Sequence, residues 1–279
     1  MKLEFCKLTE DDFQTVHTML DQDPLNEPIL FRAWERLSHM QYLVFENQNP
    51  VAFVCAEHAV KETLLMIYVV PEFRRKGIGT SILHYFEELY GDKTQSIYGF
   101  FDHHCTEAAI FAAKYGYNRH YDFVYMAYDG EPFIFKETPP VRPYTDTDYP
   151  ESQSMRAQAF HQMRVAVGDF PESQPTPPTE AGRKEWLSHA DDYFLYMDGI
   201  EVVGVGYLEQ DEIASLSVRI DRQGQGIGHK FAPYLINVLK QRGYQTVHLD
   251  CIIGNPAQKF YEDIGFKPLY NKRYVRKYL

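Results

Sequence analysis

Two short glycine-rich stretches have the residue types to hold an anion. The first, FRRKGIGTSIL (residues 73–83), follows the apolar run LLMIYVV and leads into a helical pattern. The second, RQGQGIGHKFA (residues 222–232), stands 149 positions later in a similar setting. Where a strand stops and a helix starts through such a turn, several backbone N–H groups have no helical partner and point out of the helix's positive end. Glycine lets a phosphate oxygen approach that backbone without a Cβ in the way. The first turn offers Arg74, Arg75, Gly77, Gly79 and Thr80, its arginines adding charge-assisted contacts. The second offers Gln223, Gly224, Gly226, Gly228 and His229. Neither is a Walker loop, since GxxxxGK[ST] is missing from both, and His229 takes the third glycine's place in a dinucleotide fingerprint. The tetrapeptide DHHC at residues 102–105 is a weaker candidate, because three adjacent residues on a strand cannot all face one ion.

The elements that must position these turns are themselves repeated. The shift of 149 places Val69 on Val218, Arg74 on Gln223, Gly77 on Gly226, Ile78 on Ile227 and Gly79 on Gly228. It also places IFAAKYGY (residues 110–117) on KFYEDIGF (residues 259–266). Nearer the starts, LTEDDF (residues 8–13) matches YTDTDY (residues 144–149) at a shift of 136. The chain is therefore read as a tandem repeat, with one domain over 1–138 and a second over 139–279, joined by the proline-rich KETPPVRP at residues 136–143. Each copy reads as strand, helical region, three strands, glycine turn, helix, strand, helix and strand. In the helix after the second turn Phe231, Leu235 and Leu239 form a buried stripe, as do Ile82, Phe86 and Leu89 after the first. Pro233 predicts a late start or a kink in the second of these helices. The stretch GDFPESQPTPPTEAG (residues 168–182) has the composition of a loop, without helix or strand.

Composition bounds the rest. A hydrophobic share of 44% and a charged share of 24% suit a soluble globular protein, and no apolar run is long enough to span a membrane. The start of the chain does not read as a signal peptide, which points to the cytoplasm. The net charge of −11 argues against a nucleic-acid partner. Cys6, Cys55, Cys105 and Cys251 lie far apart and read as free thiols. Strand edges leave room for a homodimer.

The pattern [R/Q]xxGxG after an apolar strand, followed by an Asn, a Tyr and GF, resembles the GNAT (GCN5-related) N-acetyltransferase family. It is carried by Gln223, Gly226, Gly228, Asn255, Ala257, Tyr261, Gly265 and Phe266 in the second copy, and by Arg74, Gly77, Gly79 and Gly116 in the first. The resemblance implies an α/β fold of two tandem domains, each a mixed, mostly antiparallel splayed sheet flanked by helices. It implies acetyl-CoA as co-substrate, no metal, and a small-molecule or peptide amine as acceptor. The pantetheine would run along Leu216 and Val218, or along Val69 in the first copy, with the pyrophosphate on the glycine turn. A backbone N–H of residues 215–220 would take the oxyanion, Tyr261 would serve the departing thiolate, and Asn255 is the other catalytic candidate. Glu209, Glu212 and Asp250 are nominated as the base that takes the amine's proton. Because the first copy has Thr106 and Ala112 where the second has Asn255 and Tyr261, the second is expected to be catalytic and the first degenerate. Tyr115 or Tyr117 is the substitute acid if the first copy turns over.

Overall fold

The computed structural model describes residues 2–36, 41–59, 62–168 and 174–279. The first repeat runs β1 (Leu3–Lys7), α1 (Phe13–Leu20), α2 (Glu27–Arg36), β2 (Gln41–Glu46), β3 (Asn49–His58), β4 (Glu62–Val69), α3 (Ile78–Tyr90), β5 (Ser96–Asp102), α4 (Thr106–Lys114) and β6 (Asn118–Tyr128). The second runs β7 (Val141–Pro143), α5 (Tyr149–Ala166), α6 (Glu180–Ser188), β8 (Tyr193–Asp198), β9 (Glu201–Glu209), β10 (Glu212–Val218), α7 (Ile227–Gln241), β11 (Val247–Ile252), α8 (Ala257–Asp263) and β12 (Lys267–Tyr278).

The chain divides into two compact units, Met1–Asp122 with Tyr270–Leu279, and Phe123–Leu269. Each repeat ends in a closing strand, and the structure exchanges them. In the first unit the order is β1-β2-β3-β4-β5-β12, with Ser96 opposite Tyr278 and Asp102 opposite Lys272. In the second it is β6-β11-β10-β9-β8-β7, with Ile252 opposite Phe123 and Val247 opposite Tyr128. The sequence repeats, divided near residue 139, and the compact units are therefore different partitions of the chain. Both sheets are mostly antiparallel. The β4–β5 and β10–β11 pairs are parallel and short, ending at Leu64 opposite Tyr98 and holding only Glu212 opposite His248. Beyond those contacts the strands diverge, which forms the splay.

Apolar clusters cover both faces of each sheet. In the first unit α3 lays Ile78, Ile82, Leu83 and Phe86 on one face, while Val16, Leu20, Ile29 and Leu30 of α1 and α2 cover the other. In the second, Phe231, Leu235 and Leu239 are fully buried under α7, and Met155 and Trp186 pack on the opposite face. Three sequence expectations are corrected. Leu89 is exposed, the first stripe being completed by Leu83 instead. The helix after the second turn does not start late: it begins at Ile227 and carries buried Pro233 inside it. Residues 180–182 of the supposed loop belong to α6, because Thr179 caps that helix by accepting from the Gly182 amide at 3.1 Å. Residues 169–173 of that stretch lie outside the described residues. Among the described residues no helix is long and apolar enough to cross a membrane.

The starts of the two repeats share a device that fixes their register. Thr9 with Asp12, and Thr145 with Asp148, each form a reciprocal capping box. In the second copy Arg142 also clamps Asp148 through two bonds of 2.7 Å. That hydrogen bond, followed by those from Thr145, lowers the Asp148 pKa from 3.8 to about 2. A depressed carboxylate pKa stabilises the fold above the unfolded value, and the gain disappears as pH falls through the folded value. Acid titration should therefore cost about 1 kcal/mol between roughly pH 4 and pH 2 at this site, discounted for the solvent that reaches the guanidinium. Asp148→Asn should flatten that part of the pH dependence of Tm, and an unchanged slope would remove the pair from acid stability.

Candidate active site

The two glycine turns have one design. Gly77 and Gly226 hold φ of 85° and 79° immediately before α3 and α7, a conformation that L side chains avoid. A Cβ at Gly77, Gly224 or Gly226 would meet nothing within 4 Å, so the space over the turns is open. Gly79 and Gly228 instead face aromatic rings, Phe111 at 3.6 Å and Phe260 at 3.5 Å from the notional Cβ. The first turn pays a conformational penalty at Arg75, which holds φ of 61° where the second copy has Gly224 at 75°.

The leading residue of the motif makes the same bond in both copies. Arg74 donates from Nε to the Val69 carbonyl at 2.9 Å, and Gln223 donates from Nε2 to the Val218 carbonyl at 3.0 Å. Each closes the end of the strand onto its turn. The Arg74 terminal nitrogen is also engaged, at 2.5 Å from the Asp23 carboxylate. Cationic contact with an anion at the first turn thus falls to exposed Arg75 and Lys76, whereas the second turn presents neutral Gly224 and Gln225. Thr80 bonds the Tyr115 hydroxyl at 2.8 Å, and His229 lies edge-on to Phe260.

In the first unit a cavity of about 540 Å³ begins at this turn. Five consecutive residues of β4, Leu65–Val69, line it, so it uses both faces of the strand and passes through the splay between β4 and β5. Arg75, Gly77, Gly79 and Thr80 of the turn line it, as do Asn26, Ile29 and Leu30 at α2. Its size and course suit a pantetheine arm with its phosphates on the turn. Ala112 is part of its wall. Of the substitute acids, Tyr117 bonds Glu87 at 3.1 Å and its pKa is raised by burial and then by that carboxylate. The half-buried Tyr115 has its pKa lowered by the bond to Thr80.

The second unit differs where the strand meets the splay. Ladder β3–β4 is regular, but β10 shifts register against β9 between Ile213 and Ser215, which leaves Ala214 bulged and exposed. A bulge takes a residue's backbone groups out of the ladder. Leu216 packs on the cluster under α7, and Ser215 and Ser217 are buried on the other face, where Ser215 meets Arg156 of α5. Tyr261, on α8, is buried beside Phe260 and Phe266, with ring centroids at 4.8 and 5.7 Å. Burial, and then the Cys251 thiol, raise its pKa, so the phenol keeps its proton at neutral pH. Asn255 accepts the Ala257 amide through Oδ1 at 3.0 Å, a bond that fixes the start of α8. Of the nominated bases, Glu212 is buried and accepts from the Tyr125 hydroxyl at 2.9 Å, while Glu209 and Asp250 are exposed. No group of three His, Cys, Asp or Glu able to hold an ion occurs among the described residues, the DHHC stretch included. All four cysteines are free, with only Cys6 exposed.

A splayed sheet with a glycine turn at the end of the central strand, built twice in one chain, defines the scaffold. Comparison with known proteins agrees. Residues 159–266 match the family model "Acetyltransferase (GNAT) family", and residues 38–119 match "Acetyltransferase (GNAT) domain". Solved structures share the fold over the whole chain. A GCN5-related N-acetyltransferase from Sphaerobacter thermophilus is 20% identical with a TM-score of 0.67, over 99% of this chain and 95% of that one. A tandem GNAT protein from the clavulanic acid biosynthesis pathway is 13% identical with a TM-score of 0.58, over 99% and 98%. A GNAT-family acetyltransferase from Colwellia psychrerythraea is 15% identical with a TM-score of 0.55, over all of both chains. No curated protein matches the sequence. The chain belongs to the GNAT acetyltransferase family as a tandem member, and acyl transfer is its class of chemistry.

Proposed function

We propose that the chain transfers the acetyl group of acetyl-CoA to a primary amine by direct attack on the thioester, with the reacting centre in the second unit. The observation that carries this reading is a difference between equivalent positions. Only the second copy combines a bulged central strand, at Ala214, with a phenol, at Tyr261, where the first copy has a regular strand and Ala112. The bulge supplies a backbone N–H for the carbonyl oxygen as it gains charge. Tyr261, protonated by virtue of its burial, can donate to the departing sulfur. Glu212 is the best placed of the nominated carboxylates to draw a proton from the amine, being buried near the bulge.

The first unit is then a CoA-binding unit without the acid. A second reading, catalysis in the first unit with Tyr115 or Tyr117 as acid, draws on the cavity there. Thiol release from acetyl-CoA, measured over a panel of polyamines, amino acids, aminoglycosides and basic peptides, tests transfer itself. Gly226→Ala forces a Cβ onto a positive φ in the open space of the second turn. It should raise the acetyl-CoA KM of the reaction about tenfold, or about 1.4 kcal/mol. If Gly77→Ala is the variant that raises it instead, the chemistry belongs to the first unit.

A further inference from the structure

Helix α5 carries Arg156, Phe160 and Arg164 on one face at helical spacing, and both guanidinium carbons lie over the Phe160 ring, at 5.2 and 5.9 Å. Arg156 reaches inward. Its Nε is 3.4 Å from the hydroxyl of buried Ser215, the residue after the bulged Ala214, so the guanidinium stands beside the proposed reacting centre. On its other side the Trp186 ring is 6.0 Å away, the end of a stack in which Trp186 and Tyr193 are 4.1 Å apart and Tyr193 and Tyr207 are 4.4 Å apart. Among the described residues no carboxylate forms an ion pair with Arg156. Glu185 and the phenols of Tyr193 and Tyr207 favour its charge from a distance, while Arg164 opposes it. Desolvation outweighs all of these and lowers its pKa.

The fold does not require a cation there. The paired capping boxes align the repeat starts at a shift of 136, which puts Arg156 on Leu20. The register after the glycine-turn strand puts Ser215 on Met66. Leu20 and Met66 share one apolar cluster, with Leu20 fully buried. The second copy has thus replaced an apolar pair by an arginine and a serine at the same place. An uncompensated cation in such surroundings is destabilising, and a bound anion is what offsets it.

We propose that Arg156 is a specificity-determining residue that pairs with a carboxylate on the acceptor, so that the amine acetylated in the second unit is carboxylate-bearing. A planar anion matches the guanidinium fork and the flat aromatic walls around it. The proposal rests on the amine-transfer reading for the reaction, but the anion site can be tested apart from it.

The test uses the full chain and acceptors that differ by one carboxylate, L-lysine against cadaverine and β-alanine against ethylamine. The carboxylate member of a pair should have the higher kcat/KM by tenfold or more. Arg156→Leu should erase that preference through acceptor KM and leave the acetyl-CoA KM alone. The leucine is the first copy's own residue, so the variant should fold, and its Tm without ligand should rise. Arg156→Lys should keep part of the preference. Preference for cadaverine and ethylamine, or a preference that survives Arg156→Leu, overturns the proposal and leaves amine transfer standing. Thermal shift with glutarate reads the site without turnover. If no amine is acetylated but glutarate raises the Tm of the wild type and not of Arg156→Leu, the carboxylate site stands and the amine-transfer reading falls. Equal shifts in both proteins overturn the site.

Discussion

Tyr261→Phe is expected to lower kcat about 100-fold or more while acetyl-CoA affinity stays nearly unchanged, the signature of a group that acts in the transition state. The substitution is conservative in packing. The ring sits between Phe260 and Phe266, and phenylalanine keeps both contacts. What it removes is one hydroxyl whose pKa burial holds above the ordinary tyrosine value. Such a phenol does not ionise in the working range, so wild-type kcat should show no alkaline fall attributable to it. The scaffold also tolerates the loss of the ring, because Ala112 occupies the equivalent place in the first copy and is itself buried there. Steady-state kinetics with the best acceptor, together with calorimetric acetyl-CoA binding, measure the two quantities separately. Full kcat in the variant across the pH range would make Tyr261 a core aromatic and nothing more.

The glycine turns, the repeat and the stripe of Phe231, Leu235 and Leu239 were legible because each is a local pattern: one turn, one helix face, one constant shift. Pattern reading fails where the answer depends on a partner distant in sequence. That β12 closes the sheet of the first unit, and that Phe123–Tyr128 of β6 pair in the second, cannot be read from strand order, since either pairing buries the same apolar alternation. The contacts of Arg74 are hidden for a related reason. An arginine beside a phosphate cradle invites an ionic reading, but Asp23 is 51 residues away in sequence and takes the guanidinium first. Gln223 shares with Arg74 the bond to the strand carbonyl, a task that needs no charge. Arg156 carries no signal in the sequence, being one charged residue on a helix. Its meaning emerged only when Ser215 and Trp186 were brought against it.

The bulge at Ala214 is the least legible feature, and Gly99 explains why one copy needs it and the other does not. In the first unit a Cβ on Gly99 would lie 2.4 Å from the Leu65 carbonyl oxygen, a backbone atom that cannot swing aside. The missing side chain lets β4 pass β5 in regular register with β3. The parallel contacts of Leu64 with Tyr98 and of Glu212 with His248 make Leu249 the counterpart of Gly99. Leu249 has a full side chain, buried in the core, and there β10 carries one residue more than β4, the bulged Ala214 between Ile213 and Ser215. Glycine on one strand and an extra residue on the other are alternative ways to relieve one crowding. Gly99→Val should therefore destabilise the first unit by about 3 kcal/mol, at the upper end for overpacking because the obstacle is backbone. Urea unfolding followed by a probe in that unit measures it, and a variant within about 0.5 kcal/mol of wild type would discard the account. The stronger test is rescue: inserting one alanine between Leu65 and Met66, where the second copy has Ala214, should recover part of the loss in Gly99→Val and cost stability in the wild type. If the insertion harms both equally, the bulge and the glycine are unrelated, and the irregularity of β10 belongs to its chemistry alone.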